Sequence, residues 1–121
     1  MSDPSQSFRD VLVWQKAHTF TLAIYRLTDA FPKSELFALT SQLRRAAASI
    51  PANFVEGFRK RTTPDKLRFY NTAQGSADEC LYHLILAHDL TYADTHSHQA
   101  DLEEVSRLLQ AYMNGLRRNA S

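Results

Sequence analysis

Apolar residues recur along most of this chain at alternating steps of three and four. This spacing repeats about every 3.6 residues, which is the period of an α-helix. The alternation of apolar and polar residues that is typical of strands is missing. The pattern therefore predicts helices throughout. The clearest run, which ends just before Pro32, consists of Val13, Ala17, Phe20, Ile24, Leu27 and Phe31.

Start and stop signals divide the chain into four helical segments. Pro32 ends the first, because its ring disfavours helix at the preceding residue. Ser34 is a good N-cap for the second, and Pro51 inside that segment predicts a kink near residue 47. Thr63 as the N-cap, followed by Pro64 at the first helical position, predicts the start of a third helix, which runs to about Tyr92. A polar turn at 93–98 precedes the fourth helix, which carries Leu102, Val105, Leu109, Tyr112 and Leu116.

Four helices with short connections predict an all-α fold, an antiparallel up-down four-helix bundle whose second helix is kinked at Pro51. We expect a flexible N-terminal arm at 1–8, the bundle at 9–118 and a C-terminal tail at 119–121. A length of 121 residues fits one domain with a core of its own.

Composition narrows the cellular setting. Cys80 is the single cysteine, so an intramolecular disulfide framework is excluded and a reducing compartment is favoured. No basic, apolar leader follows Met1, and no run reaches the roughly 18 apolar residues of a membrane span. We therefore expect a cytoplasmic protein with no membrane partner.

Charge is segregated along a chain whose net charge is only +1. Residues 33–68 carry eight basic side chains against three acidic ones, whereas residues 78–104 carry seven acidic side chains and no Lys or Arg. The first interpretation is a surface that binds nucleic-acid phosphates at the turn between the second and third helices. The alternative is a solvated turn whose charges pair with acids of neighbouring helices or subunits. The candidate residues are Arg59, Lys60, Arg61, Lys66 and Arg68.

A second apolar stripe on the first helix exceeds what one bundle of this size can bury. It consists of Trp14, Leu22 and Tyr25. Such surplus predicts self-association, although a wide core stripe with scattered surface aromatics explains it too. Small residues that let another helix approach, and an arginine that can pair with an acid there, complete the candidate interface: Arg45, Ala47 and Gly75.

Catalytic and metal chemistry find little support. Cys80 lies on an apolar helix face, where burial disfavours the thiolate. His96, His98 and Asp94 offer metal-ligand types, but spacing of two residues in a polar turn is a weak signal, so we expect solvated histidines. The paired Glu-x-x-His motifs of di-metal bundles are absent. The sequence predicts no catalytic residue, no metal and no cofactor.

Three stretches resemble one bacterial family, the 23S rRNA intervening-sequence proteins, which includes the accessory protein of diversity-generating retroelements. They are FRDVLVWQKA at 8–17, YRLTDAFPKSELFALTSQLRRAAASIPANFVEGFRKR at 25–61 and FYNTAQGSADECLYHL at 69–84. The chain departs from the family pattern at Ala38, Phe54-Val55 and Arg59, which leaves the subtype open.

The resemblance implies a left-handed up-down bundle that assembles as a ring-like homopentamer. If the chain is similar to the retroelement accessory member, the resemblance implies a basic barrel that binds nucleic acid and its reverse transcriptase. The intervening-sequence members have no established activity. We therefore expect a non-enzymatic oligomeric protein that binds nucleic acid, or a nucleic-acid enzyme such as a reverse transcriptase. The alternative is a structural interaction module that binds no nucleic acid.

Overall fold

The structure, a computed structural model, describes residues 7–120 and contains no strand within that range. Four long helices account for most of it, which confirms the all-α four-helix fold. Two short 3₁₀ helices precede α1 and α2. In chain order the elements are the 3₁₀ helix Phe8–Asp10, α1 Leu12–Thr28, the 3₁₀ helix Lys33–Glu35, α2 Leu39–Arg59, α3 Thr63–Asp89 and α4 His96–Ala120.

The helices pack in a cycle. The backbone of α2 approaches those of α1 and α3, and that of α4 approaches the same two helices, whereas the backbones of α1 and α3 stay apart. Thus α1 and α3 occupy opposite corners of the bundle.

Cross-helix contacts fix which helix ends lie together. Ser49 of α2 contacts Ser76 of α3, and Gly57 lies against Tyr70, so these two helices run in opposite directions. Tyr70 in turn packs on Tyr112 of α4. The end of α2, the start of α3 and the end of α4 therefore share one end of the bundle.

α1 follows the same rule. Its Thr28 contacts Arg44 near the start of α2, and its Thr21 lies against Ala47 further along α2. The start of α1, with the 3₁₀ helix before it, therefore lies at the same end as the last turn of α2.

An aromatic cluster fills the core near this end. Phe54 stacks on Tyr70 with ring centroids 5.0 Å apart, and Tyr112 meets Phe54 edge-on at 5.3 Å. Phe54 and Tyr70 are fully buried, and burial of such side chains stabilises a fold by about 1.5–3 kcal/mol each. The helices carrying these residues are thereby held in register.

The first two helix boundaries differ from the sequence prediction. α1 ends at Thr28 rather than at Pro32, yet Phe31 is still buried because its ring packs against Tyr92. Ser34 is not the N-cap of α2, since it lies inside a 3₁₀ turn. α2 begins at Leu39, whose N–H donates to the Glu35 carboxylate at 3.3 Å. Glu35 rather than Ser34 therefore accepts a hydrogen bond from the first turn of α2.

Pro51 lies inside α2, which is a single helix from Leu39 to Arg59. A proline cannot donate to the carbonyl four residues earlier, which here belongs to Ala47. The hydroxyl of Thr21 in α1 lies 3.2 Å from that carbonyl oxygen. A neighbouring helix thus supplies a donor to the group that Pro51 leaves free. The kink near residue 47 stays a prediction.

The remaining boundaries shift by a few residues. α3 is capped by Thr62, whose Oγ1 accepts from the Asp65 N–H at 3.3 Å, so the predicted cap at Thr63 is wrong by one residue. α3 ends at Asp89, three residues before the predicted end, and Thr91 then takes a left-handed φ of 61° that reverses the chain. α4 begins at His96, inside the predicted polar turn.

The predicted terminal segments are shorter in the structure. Ser7 caps the first 3₁₀ helix, and Phe8 packs edge-on against Trp14 at 5.0 Å, so both residues belong to the fold rather than to an arm. Residues 119 and 120 continue α4 rather than forming a tail. The other predicted arm and tail positions, 1–6 and 121, lie outside the described residues.

Candidate nucleic-acid interface and assembly faces

The connection between α2 and α3 exposes two arginines that are not neutralised. Arg59 is the last residue of α2 and Arg61 lies in the turn, and both side chains are exposed. None of the ion pairs within residues 7–120 includes either of them. Their charges are therefore available to an anionic ligand.

Lys66 has a structural partner instead. Its Nζ donates to the carbonyl of Phe58 at 2.8 Å and lies 3.4 Å from that of Gly57, so it satisfies carbonyls at the end of α2. A cation is favourable there because the C-terminal end of a helix carries partial negative charge. Of the five predicted phosphate ligands, Lys66 is thus held against the bundle.

Lys60 and Arg68 share an aromatic neighbour. Lys60 Nζ is 5.0 Å from the ring centroid of Phe69, and the Arg68 guanidinium is 5.1 Å from it. Arg68 also lies 3.9 Å from Asp65 in an exposed pair, which contributes little to stability. Because cations cover Phe69, its ring is poorly placed for base stacking, and contact with phosphate is the more natural role of this surface.

Three further arginines join this end of the bundle, and the sequence analysis missed them. Arg9 precedes α1, and Arg117 and Arg118 lie in the last turn of α4. They are remote in sequence from the α2–α3 turn, and only the direction of the helices brings them to it. We call this surface the basic end: Arg9, Arg59, Lys60, Arg61, Lys66, Arg68, Arg117 and Arg118.

Charge is unevenly divided between the basic end and the rest of the bundle. Its eight basic side chains face three acidic ones, Asp10, Glu56 and Asp65, which leaves +5. The other described residues carry six basic and nine acidic side chains, which leaves −3. The segregation predicted along the sequence is thus a separation between regions of the folded molecule.

The outer face of α1 is apolar, as its second stripe suggests. Leu22 and Tyr25 are each 45% exposed, and Trp14 is half-buried with its ring stacked on His18 at 4.9 Å. Arg45 of α2 is exposed and enters none of the ion pairs within residues 7–120. The guanidinium that lies 4.8 Å from the Tyr25 ring is that of Arg44 rather than Arg45. We call Trp14, Leu22 and Tyr25 the α1 face.

The opposite corner carries a second exposed apolar face with negative charge. Tyr82 of α3 is 59% exposed and Ile85 is 39% exposed, and the neighbouring Asp78 and Glu79 are also exposed. We call these four residues the α3 face. Sequence reasoning missed it because the α3 core stripe does not reveal which outer positions are apolar.

Two predicted interface residues sit very differently. Ala47 is fully buried and packs inside the monomer against α1, so its assignment to a surface between subunits is wrong. Gly75 is exposed on α3, and a Cβ built on it meets nothing within 4 Å. The close helix crossing expected to compensate for this glycine is therefore not present within the described chain.

The histidines and the cysteine separate into two environments. Cys80 is fully buried, and burial raises the pKa of its thiol from 9.0 to about 12, with a further contribution from Glu79. In contrast, His88 of α3 lies beside Asp94 and His96 at the end of the bundle opposite the basic end. The sequence analysis did not group His88 with the others, because only the reversal after α3 brings it back to α4.

Comparisons with known proteins agree with this architecture. The model of the 23S rRNA-intervening sequence protein family matches residues 9–111. A solved structure, that of a protein with unknown function from the S23 ribosomal protein family of Bacteroides thetaiotaomicron VPI-5482, is similar with a TM-score of 0.76 and 25% sequence identity. The match covers 84% of this chain and 98% of that one. No curated protein matches the chain significantly. Among residues 7–120, no helix is both long and apolar enough to cross a membrane.

Proposed function

The chain belongs to the 23S rRNA-intervening sequence protein family, and on that premise we propose that it is a non-enzymatic, self-assembling protein of the cytoplasm whose basic end binds the phosphate backbone of nucleic acid. The observation that carries this proposal is the pair of exposed arginines, Arg59 and Arg61, which no acidic side chain among residues 7–120 neutralises. The shielded thiol of Cys80 offers no nucleophile, which supports the absence of catalysis.

Phosphate is the favoured ligand of this end for two reasons. The N-terminus of α3 opens beside the arginines, and its partial positive charge suits an anion. The neighbouring aromatic ring of Phe69 is covered by Lys60 and Arg68, so base readout by stacking is disfavoured. Binding through such contacts is insensitive to sequence and depends strongly on salt.

A charge-reversal experiment tests the binding. The variant Arg59→Glu/Arg61→Glu and the control Arg26→Glu/Lys33→Glu alter the net charge equally, because each replaces two exposed cations. Arg26 and Lys33 lie at the opposite end of the bundle, so only the first variant removes the proposed contacts. We expect fluorescence anisotropy with single-stranded RNA and duplex DNA at two salt concentrations to give binding by the wild type and the control.

The outcomes are distinct. In Arg59→Glu/Arg61→Glu, loss of two phosphate contacts should make the negative slope of the log binding constant against log[salt] shallower by about 1.4 for single strands and about 1.8 for duplex DNA. Equal binding by both variants would contradict the basic end as the site. No binding by the wild type at low salt would favour the alternative, an interaction module whose basic end receives a protein such as a reverse transcriptase.

Self-assembly follows from the two exposed faces. The α1 face exposes Leu22 and Tyr25, and the α3 face exposes Tyr82 and Ile85 with Asp78 and Glu79 beside them. Both faces expose apolar side chains, and they lie on α1 and α3, which occupy opposite corners of the bundle. A contact between the α1 face of one copy and the α3 face of the next is head-to-tail, and such a contact generates a ring when the rotation closes. A homopentamer is the ring that the family resemblance implies.

Two variants and their mixture test this geometry. Light scattering of the wild type should give a multiple of 13.8 kDa, and Leu22→Glu and Tyr82→Glu should each give a monomer. An equimolar mixture of the two variants retains one intact α1 face and one intact α3 face, so it should form a dimer and nothing larger. A wild type of about 13.8 kDa, or a mixture that stays monomeric, would contradict head-to-tail assembly.

A further inference from the structure

Three side chains of types that can bind a metal lie close together at the connection between α3 and α4. His88 lies in the last turn of α3, Asp94 in the connection and His96 at the start of α4. One Asp94 oxygen, Oδ1, is 3.7 Å from Nδ1 of His88 and 3.6 Å from Nδ1 of His96. One potential ligand atom from each residue lies within 4.8 Å of the others.

Local electrostatics hold these groups in the state that binds a cation. The backbone N–H of His96 donates to Asp94 at 3.1 Å, and this bond lowers the pKa of Asp94 below its usual value. Nδ1 of His88 accepts the N–H of Thr95 at 3.2 Å, so that nitrogen is unprotonated. An ionised carboxylate and a neutral imidazole are the forms that a metal requires.

A third imidazole lies close by. His98 lies two residues further along α4. Its Nδ1 is buried and has no hydrogen-bond partner among the described residues.

We propose that His88, Asp94 and His96 bind a divalent first-row transition ion, of which Zn²⁺ is the best fit. Zinc takes imidazole nitrogen and carboxylate oxygen at about 2.0–2.2 Å in tetrahedral geometry, with water in an open fourth position. Tetrahedral bonds of that length separate ligand atoms by about 3.4 Å. The 3.6 and 3.7 Å separations from Asp94 therefore need to close by only a few tenths of an ångström, whereas the two imidazole ligand atoms, which lie within 4.8 Å of each other, must approach further.

The bound ion has one structural consequence that can be observed. A cation on Nδ1 of His88 takes the lone pair that now accepts the N–H of Thr95. Binding also ties the end of α3 to the start of α4, so it stabilises the folded state in proportion to the free ion above its dissociation constant.

Calorimetric titration of the chelator-treated full chain with ZnCl₂ tests the proposal. The wild type should bind one Zn²⁺ per chain, with a melting temperature that rises until one equivalent is present. Asp94→Asn retains a good helix cap but removes the charged ligand, and His88→Gln and His96→Gln each remove an imidazole. Each variant should lose affinity by more than about tenfold.

His18→Gln is the matched control, because His18 is an exposed histidine stacked on Trp14 of α1. It should bind zinc as the wild type does. In ¹⁵N spectra of the wild type, the Thr95 amide should move on zinc addition. Absence of binding by the wild type, equal affinity in all variants, or a Thr95 amide that stays in place at saturation would overturn the site.

Discussion

The hydroxyl of Thr21 in α1 lies 3.2 Å from the carbonyl oxygen of Ala47 in α2, the carbonyl to which Pro51 has no N–H to donate. The hydroxyl shares its single proton between two carbonyls, because it also lies 2.8 Å from the carbonyl of Ala17 in its own helix. Both groups are buried, where an unsatisfied carbonyl is costly. The neighbouring helix therefore compensates for the proline, and the two positions depend on each other.

Replacement of Thr21 by valine should lower the free energy of unfolding by about 1–3 kcal/mol, because it keeps the shape but leaves the Ala47 carbonyl without this donor. In a Pro51→Ala background the new N–H serves that carbonyl, so the cost of Thr21→Val should fall by about 1 kcal/mol. Urea denaturation of the four proteins gives this coupling directly. Equal costs in both backgrounds would show that Thr21 acts independently of the proline.

The glycines of α2 and α3 should respond in opposite ways to alanine. A Cβ on Gly57 would lie 2.5 Å from Cε1 of Tyr70, so Gly57→Ala should destabilise by about 1–3 kcal/mol through overpacking. Gly75 has open space around it, so Gly75→Ala should stabilise the monomer by about 0.5–1 kcal/mol through helix propensity. Urea midpoints in the assembly-deficient Leu22→Glu background separate these effects from association.

Lys66 should contribute to the stability of the fold, whereas the exposed arginines should contribute to nucleic-acid binding. Lys66→Met removes the donor to the Phe58 carbonyl and should cost about 1 kcal/mol of folding free energy. Arg59→Gln/Arg61→Gln should leave the melting temperature within about 1 °C, since surface changes without partners have small effects, while weakening RNA binding. A large loss of stability in the arginine variant would mean that these side chains make structural contacts.

Cys80 should be inert in the folded protein. With the pKa of its thiol raised from 9.0 to about 12, the thiolate at pH 8 is about a thousandfold scarcer than for an unshifted thiol, and the side chain is fully buried. Reaction with a thiol-specific disulfide reagent should be at least about 100-fold slower than in guanidinium. Rapid native labelling would contradict the packing role assigned to this residue.

Asp94 should make stability depend on acid pH. Its folded pKa lies below the ordinary carboxyl value, chiefly because of the His96 N–H, so its contribution is present above the ordinary value and is lost as pH falls through the folded one. The melting temperatures of the wild type and Asp94→Asn, measured in chelator at pH 6 and pH 2.5, should therefore differ more at pH 6. A difference that is constant with pH would contradict this contribution.

The fold could be predicted from the helical spacing of apolar residues, because this spacing alone determines which face of a helix is buried. It predicted four helices and most core positions, such as Ile24, Leu43 and Leu109. Helix ends were less predictable, since they depend on which nearby group caps them. Ser34 is a good cap in isolation, but the turn after Pro32 puts Glu35 within reach of α2 instead.

The candidate sites divide in the same way. Arg59 and Arg61 are neighbours in sequence, so their charge is visible there. Arg9 and Arg117 join them only through helix direction, and His88 joins Asp94 only after the left-handed turn at Thr91. Such groupings depend on chain path, which residue spacing does not encode.

The separation of +5 at the basic end from −3 elsewhere gives the bundle a permanent electric dipole. A molecule with a net charge of +1 feels little overall pull toward a polyanion, but a dipole turns in the field so that its positive pole leads. Orientation before contact raises the fraction of productive encounters, and salt within a Debye length of about 10 Å screens it. In a ring whose copies point the same way, these dipoles add along the axis, so one face of the assembly meets nucleic acid first.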